Sequence, residues 1–338
     1  MATRTGTNRG ETITGTSSAD TINALGGNDR VYANGGNDTV RGGTGNDGLY
    51  GQGGNDSIFG EDGIDALLGG DGNDQLFAGL GDDWLDGGLG RDRIFGNEGQ
   101  DQLRGGGDVD VLDGGPGNDN LHGGTAGDFL IHSVSGPVTS TSDFYAGGDG
   151  VDTMGINAIG ATVAGSFGNG PAVVHVGMSS ALDATGSMSV SDADLTNFVP
   201  QANFHSIEAF EVAPESRLVF YGGAMNVAVT GGNQGDRMHA GSGDEIFSGG
   251  AGADAFCFDV YQNTLGTDTL VGFNAAEDFI VTGMWYDSQG TQIRDYSVVE
   301  NAGRTTVTTA DFDGTVVSTI LIDAVGVKFT DSFSYDFS

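Results

Sequence analysis

Cysteine is all but missing: Cys257 stands alone, so no disulfide forms within the chain and any stapling must come from elsewhere. Bases are nearly as scarce, with 12 Lys and Arg against 47 Asp and Glu and a formal charge of −35. Phosphate backbones are held by clustered Lys and Arg, so nucleic acid is excluded as a natural partner. Long apolar runs are absent, which leaves no helix to span a bilayer. The opening MATRTGTNRGETITG has no apolar h-region and no cleavage pattern, so no Sec-type signal peptide is expected. Proline is limited to 5 residues, and 37% hydrophobic content completes the case against plain disorder.

What the chain has in excess is glycine, 63 residues of 338. Glycine carries the largest backbone ordering cost of any residue, so its abundance implies positions that only glycine can occupy. A repeat supplies them. Asp recurs at 20, 29, 38, 47, 56, 65, 74, 83, 92, 101, 110, 119 and 128, always nine apart. Two residues after each comes an apolar residue, from Ile22 and Val31 to Leu121 and Leu130. Two before, Gly fails only at Ser18, Asp108 and Ala126; five before, the residue is always Gly or Ala. The unit is G-G-x-G-x-D-x-U-x, with U apolar.

Its form has a physical reading. A three-residue strand x-U-x sends U inward and its neighbours outward. The other six residues reverse the chain, which calls for left-handed backbone conformations. Two units make one coil, and stacked coils set each Asp about 4.8 Å from its counterpart one coil on. Such a row repels itself unless a cation lies within it. Calcium suits the row, being a hard ion that takes 6 to 8 oxygens and accepts backbone carbonyls alongside carboxylates, whereas magnesium demands near-octahedral geometry and keeps its waters. With loops on both edges, about 11 sites between adjacent coils are expected. One apolar side chain per unit does not offset about 1 to 2 kcal/mol of backbone entropy per residue, so folding should await the metal.

Residues 15–130 resemble the RTX, or haemolysin-type, calcium-binding family. The resemblance implies an all-β parallel β-roll, multiple bound calcium ions, and secretion by a type I system reading an uncleaved C-terminal signal; the tail Ser332-Phe333-Ser334-Tyr335-Asp336-Phe337-Ser338 is similar to such a signal. Most members join the repeats to an enzyme or toxin domain, and this chain departs from them by beginning almost at once with repeats. That organisation is similar to secreted RTX proteins of the nodulation protein O type.

The expected organisation is a lead-in at 1–14, the β-roll at 15–130, and an irregular β-rich segment at 131–228 holding one further unit around Asp152. A second repeat block follows at 229–258 with Asp236, Glu245 and Asp254, then a β-rich cap at 259–338 carrying the secretion signal. The candidate calcium ligands are therefore the thirteen repeat Asp residues with Asp152, Asp236, Glu245 and Asp254. No catalytic constellation emerges. His122, His132, His175, His205 and His239 are isolated, lack a His-Glu-x-x-His spacing and read as surface or loop residues. Gly241-Ser242-Gly243 only approximates a nucleophile elbow, and Cys257, between Phe256 and Phe258, reads as a buried or half-buried thiol.

The outward residue three after each Asp, taken on every second unit, sets Phe59, Phe77 and Phe95 in one ladder and starts another at Tyr32 and Tyr50, with Trp84 nearby. Such a stripe braces the sheet, packs under the 131–228 segment, or offers a surface for self-association or glycan stacking. The resulting expectation is a secreted, non-enzymatic calcium-binding protein with a structural, adhesive, cell-surface or matrix role. The alternatives are an effector acting on a host membrane and a calcium-dependent polysaccharide-active enzyme.

Overall fold

A computed structural model describes residues 2–133, 137–138, 143–149, 152–157, 162–163, 173–178, 186–191, 198–205, 209–212, 217–221, 226–241, 243–258, 267–282, 295–301, 304–310, 316–322 and 329–330. They divide into two compact units, the first of residues 1–133, 141–155 and 202–207 and the second of 134–140, 156–201 and 208–338. The fold is an all-β parallel solenoid, with no helix among the described residues.

In the first unit each x-U-x triplet forms a strand that pairs in parallel with the strand two repeats along: Ile22 with Val40, Leu67 with Leu85, Ile94 with Leu112. Successive strands alternate between two sheets. One runs through Thr3–Thr5, Thr21–Asn23, Thr39–Thr44, Ser57–Asp62, Gln75–Leu80 and Arg93–Glu98, the other through Thr12–Thr14, Arg30–Tyr32, Gly48–Gly53, Ala66–Asp71 and Trp84–Leu89. Every inward residue from Ile22 to Leu130 is buried, and these side chains form the thin core between the sheets.

The turns explain the glycine. The turns before Asp29 to Asp110 and before Asp128 each contain two left-handed residues. The first, four before the Asp, accepts side chains where φ stays moderate: Leu25 at 78°, Gln52 at 78°, Asn97 at 67°. The second, two before the Asp, reaches 150° at Gly63 and 151° at Gly99, a region closed to residues with a Cβ. Where that position holds Asp108 or Ala126, φ falls back to 68° and 82°. These two sequence exceptions thus mark turns that relax toward an ordinary left-handed conformation, whereas Ser18 is not left-handed.

Stacking begins before the first repeat. Thr3–Thr5 pairs with Thr21–Asn23, and Arg4 occupies the register of the inward Ile22. All three residues of that edge strand are exposed, and a charge at an inward position blunts an open edge. On the outer face, Phe59, Phe77 and Phe95 stack with ring centroids 5.1 and 5.0 Å apart and planes within 6°. Arg41 covers the outer face of Phe59 at 4.3 Å, and Tyr32 stacks on Tyr50 at 4.9 Å.

The residue before each Asp, often Asn, builds a further ladder. Asn28 Oδ1 accepts from Asn46 N–H, Asn46 from Ile64, Asn37 from Asn55, Asn55 from Asn73 and Asn73 from Arg91, at 2.8 to 3.1 Å.

The second unit repeats the parallel stacking with larger inward residues. Phe220, Phe247 and Phe256 are fully buried and meet at centroid distances of 5.9 and 6.4 Å. Arg217–Tyr221, Arg237–His239, Ala255–Phe258 and Phe279–Thr282 stack in order. Antiparallel pairing appears where the repeats stop, between Val173–Met178 and Gly186–Ser191 and among Asp295–Asn301, Arg304–Ala310 and Val316–Ile322. The tail 332–338 lies outside the described residues.

Ile64, 56% exposed, breaks the Asn ladder because its side chain offers no oxygen to Asp82 N–H. Ile64→Asn should restore the bond and stabilise the calcium-loaded roll by about 1 kcal/mol. Thermal unfolding in saturating calcium reads this as a raised midpoint; an unchanged or lower midpoint contradicts the ladder's contribution.

Candidate metal centre

The strand alternation that sends U inward also turns the Asp side chain, two residues earlier, inward at the start of each strand. All thirteen repeat Asp residues are buried, as are Asp152, Asp236, Glu245 and Asp254. Their carboxylates form ladders. Asp38 Oδ1 accepts from Asp20 N–H at 2.6 Å, Asp56 from Asp38 at 2.7 Å and Asp74 from Asp56 at 2.7 Å. The other edge does the same through Asp29, Asp47, Asp65 and Asp83. These bonds run opposite in direction to those of the Asn ladder.

One oxygen of each carboxylate is thus engaged and the other is not. From Asp29 to Asp128, every repeat Asp has a buried Oδ2 with no hydrogen-bond partner. Asp20, the first Asp of the row, differs because its Oδ2 accepts from the Thr16 N–H and hydroxyl at 2.6 and 2.9 Å. A buried unpaired carboxylate oxygen is strongly unfavourable, and the row repeats that feature at coil after coil.

The glycine five before each Asp faces this oxygen. A Cβ on Gly51 would collide with Asp56 Oδ2 and lie 2.7 Å from the Gly69 carbonyl, and one on Gly114 would lie 2.5 Å from Asp119 Oδ2. Ala24, Ala33 and Ala78 carry a methyl group there and are fully buried. Carboxylate and backbone carbonyl oxygens therefore converge along the loops. Among the described residues no three His, Cys, Asp or Glu side chains come together, so a cation here must draw most of its ligands from the backbone. Calcium accepts that donor set and zinc does not. The residues present fit calcium, whose charge would neutralise the row.

Electrostatics point the same way. Burial pushes the carboxyls of Asp56, Asp65 and Asp119 up to about 7, those of Asp74, Asp92, Asp101 and Asp128 to about 6 and that of Asp110 to about 8, with the hydrogen bond from the preceding Asp N–H pulling each partly back. Asp20 is instead held below the usual carboxylate range, chiefly by the hydrogen bond from Ala2 N–H.

Four ladder members escape the 18-residue spacing, and three of them, Asp143, Asp268 and Asp278, are not among the sequence candidates. Asp119 N–H donates to Asp143 and Asp128 N–H to Asp152, each across 24 residues. In the second unit Glu245 N–H donates to Asp268 across 23 and Asp254 N–H to Asp278 across 24, while Asp236 to Asp254 keeps 18. Asp143, Asp268 and Asp278 are buried. Each still precedes a buried apolar residue by two, Tyr145, Leu270 and Ile280, and that local signal could have found them. Insertions shift the count without breaking the stack.

His132 departs from the surface or loop position expected for the histidines. It is buried, 2% exposed, because it extends the inward alternation of Phe129–Ser133 beyond Leu130. His122 is exposed, and His239 is half-buried against Tyr221; the side chains of His175 and His205 lie outside the described residues. Cys257 is buried.

The RTX calcium-binding nonapeptide repeat family, in its four-copy form, matches at residues 5–40, 32–67, 59–94, 68–103, 95–130 and 221–256, together just under half of the chain. A search of curated proteins finds no match. The chain carries calcium-binding RTX repeats.

The raised carboxyls set a pH dependence with a definite sign. A carboxyl at about 6 to 8 in the folded chain and near 4 in the unfolded chain stabilises the metal-free fold below about 4, and that stability is lost as pH rises through 6 to 8. Calcium binds the ionised form, so its midpoint for folding should rise as pH falls from 8 to 5. Circular dichroism at graded calcium and pH checks both trends; a calcium midpoint independent of pH would mean that these carboxyls are not the ligands.

Proposed function

We propose that this RTX-repeat protein is a secreted, non-enzymatic calcium-binding protein that remains unfolded where calcium is scarce and folds where it is plentiful. The observation that carries the reading is the row of buried Oδ2 atoms without partners from Asp29 to Asp128. Desolvated like charges oppose folding until a cation neutralises them. The ligands would be these Asp residues with Asp20, Asp152, Asp236, Glu245 and Asp254, joined by loop carbonyls, and the ions would be multiple. Secretion by a type I system fits such coupling, because an unfolded acidic chain is competent for export. A structural, adhesive or matrix role suits a solenoid of repeated coils.

The Phe ladder is better explained as a brace than as a glycan platform. Both faces of Phe77 are covered by Phe59 and Phe95, and the outer face of Phe59 is covered by Arg41, which leaves a sugar ring only the far face of Phe95 on which to stack. Replacing Phe59, Phe77 and Phe95 together by Ser should lower thermal stability in calcium and leave the assembly state unchanged. Light scattering and thermal unfolding separate this from a self-association surface, for which assembly would change first.

The direct test of the function is calcium-dependent folding. Excess chelator should remove the β signal in circular dichroism, and calcium, not equimolar magnesium, should restore it; an unchanged spectrum refutes the proposal. Asp74→Ala should raise the calcium midpoint more than Asp20→Ala. The Asp74 carboxylate is flanked by ladder Asp residues on both sides, Asp56 and Asp92, whereas Asp20 has a ladder Asp on one side only, Asp38, and its Oδ2 is already paired. Equal effects would contradict nearest-neighbour coupling.

A further inference from the structure

His132 stands one regular coil after Gly114, in the column of small residues that faces the ladder. At Gly114 an added Cβ would lie 2.5 Å from Asp119 Oδ2, so a side chain in this column is directed at the next carboxylate of the row. His132 carries a full imidazole there. Its Nδ1 lies 3.1 Å from Asp143 Oδ2 and 2.9 Å from the Tyr145 hydroxyl, with all three side chains buried. Asp143 Oδ1 meanwhile accepts from Asp119 N–H at 3.0 Å. Both oxygens of Asp143 are therefore engaged by protein groups, in contrast to the row from Asp29 to Asp128, where the Oδ2 atoms have no partner.

The place is also where loop geometry changes. The spacing from Asp119 and Asp128 to their next ladder members opens from 18 to 24 residues, because extra sequence lies between Asp128 and Asp143; the stretch leading into Asp143 lacks the Gly-rich nonapeptide, which resumes before Asp152. A carboxylate buried at such a coil needs a different partner. His132 Nε2 is buried without a partner, which favours the neutral ring protonated at Nδ1, since a second N–H would be stranded.

We propose that His132 is a plug: its imidazole occupies the space in which calcium would meet Asp143, and this coil closes by hydrogen bonds and takes no ion. Resting on the calcium reading above, the proposal sets Asp143, whose partner is a side chain in the ligand column, apart from the row from Asp29 to Asp128. Its consequence is a coil whose closure does not depend on calcium, located where the ladder spacing opens to 24 residues.

Calcium per chain, measured by atomic emission after equilibrium dialysis, separates the two readings. Asp110→Asn should lose about one ion or more per chain, and Asp143→Asn should lose none while its thermal midpoint falls. His132→Gly, which returns the column to its usual residue, should bind no fewer ions than the parent. An Asp143→Asn variant that loses calcium as Asp110→Asn does overturns the plug and leaves the calcium reading intact; no loss in Asp110→Asn overturns the calcium reading itself. If Asp143→Asn fails to regain its β signal, the calcium-loaded parent decides by nitrogen-15 NMR. A His132 ring protonated at Nδ1 and slow to exchange supports the plug, and a fast-exchanging ring protonated at Nε2 refutes it.

Discussion

Every coil of the roll is built around a carboxylate whose two oxygens have different fates. Oδ1 pins the backbone N–H of the Asp one coil away, at 2.7 Å for Asp56 and Asp38, and so fixes the register of the stack. Oδ2 is brought into the same dry space with no donor to meet it. Hydrogen bonding and desolvation are thereby set against each other in one side chain, and burial wins, raising these carboxyls well above their usual range. The conflict is resolved when a cation joins the loop, and the glycine content follows from the need to bring backbone carbonyls close to that oxygen.

The two polar ladders run in opposite directions. Asp side chains reach the N–H of the preceding coil and Asn side chains that of the following coil, so adjacent coils are tied both ways at each loop. The core contributes comparatively little, one aliphatic residue per nonapeptide in the first unit. The second unit compensates with Phe210, Phe220, Phe247 and Phe256, a thicker core that accompanies fewer regular repeats.

Much of this was legible in the sequence because the nine-residue period is both the structural and the chemical period. Asp at each ninth position gave the ladder, the apolar residue two further gave the inward face, and the outward register placed Phe59, Phe77 and Phe95 in contact. What the period could not reveal lies where it is interrupted. Asp143, Asp268 and Asp278 occupy ladder positions displaced by insertions of variable length, and only the local pairing of an acid with an apolar residue two further marks them. His132, isolated in the sequence, reads as a surface or loop residue, whereas the strand carries the inward alternation one position beyond Leu130. The role of the Asn before Asp in bridging coils needs the stacked neighbour to become visible.

Locating the ions tests the account most directly. Anomalous scattering from a crystal grown in calcium should place ions between adjacent coils beside the Oδ2 atoms of the row from Asp29 to Asp128, with loop carbonyls completing each site. Ions confined to outer carboxylates such as Asp62 and Asp71, with the buried row bare, would contradict the claim that calcium resolves the conflict at the centre of each coil.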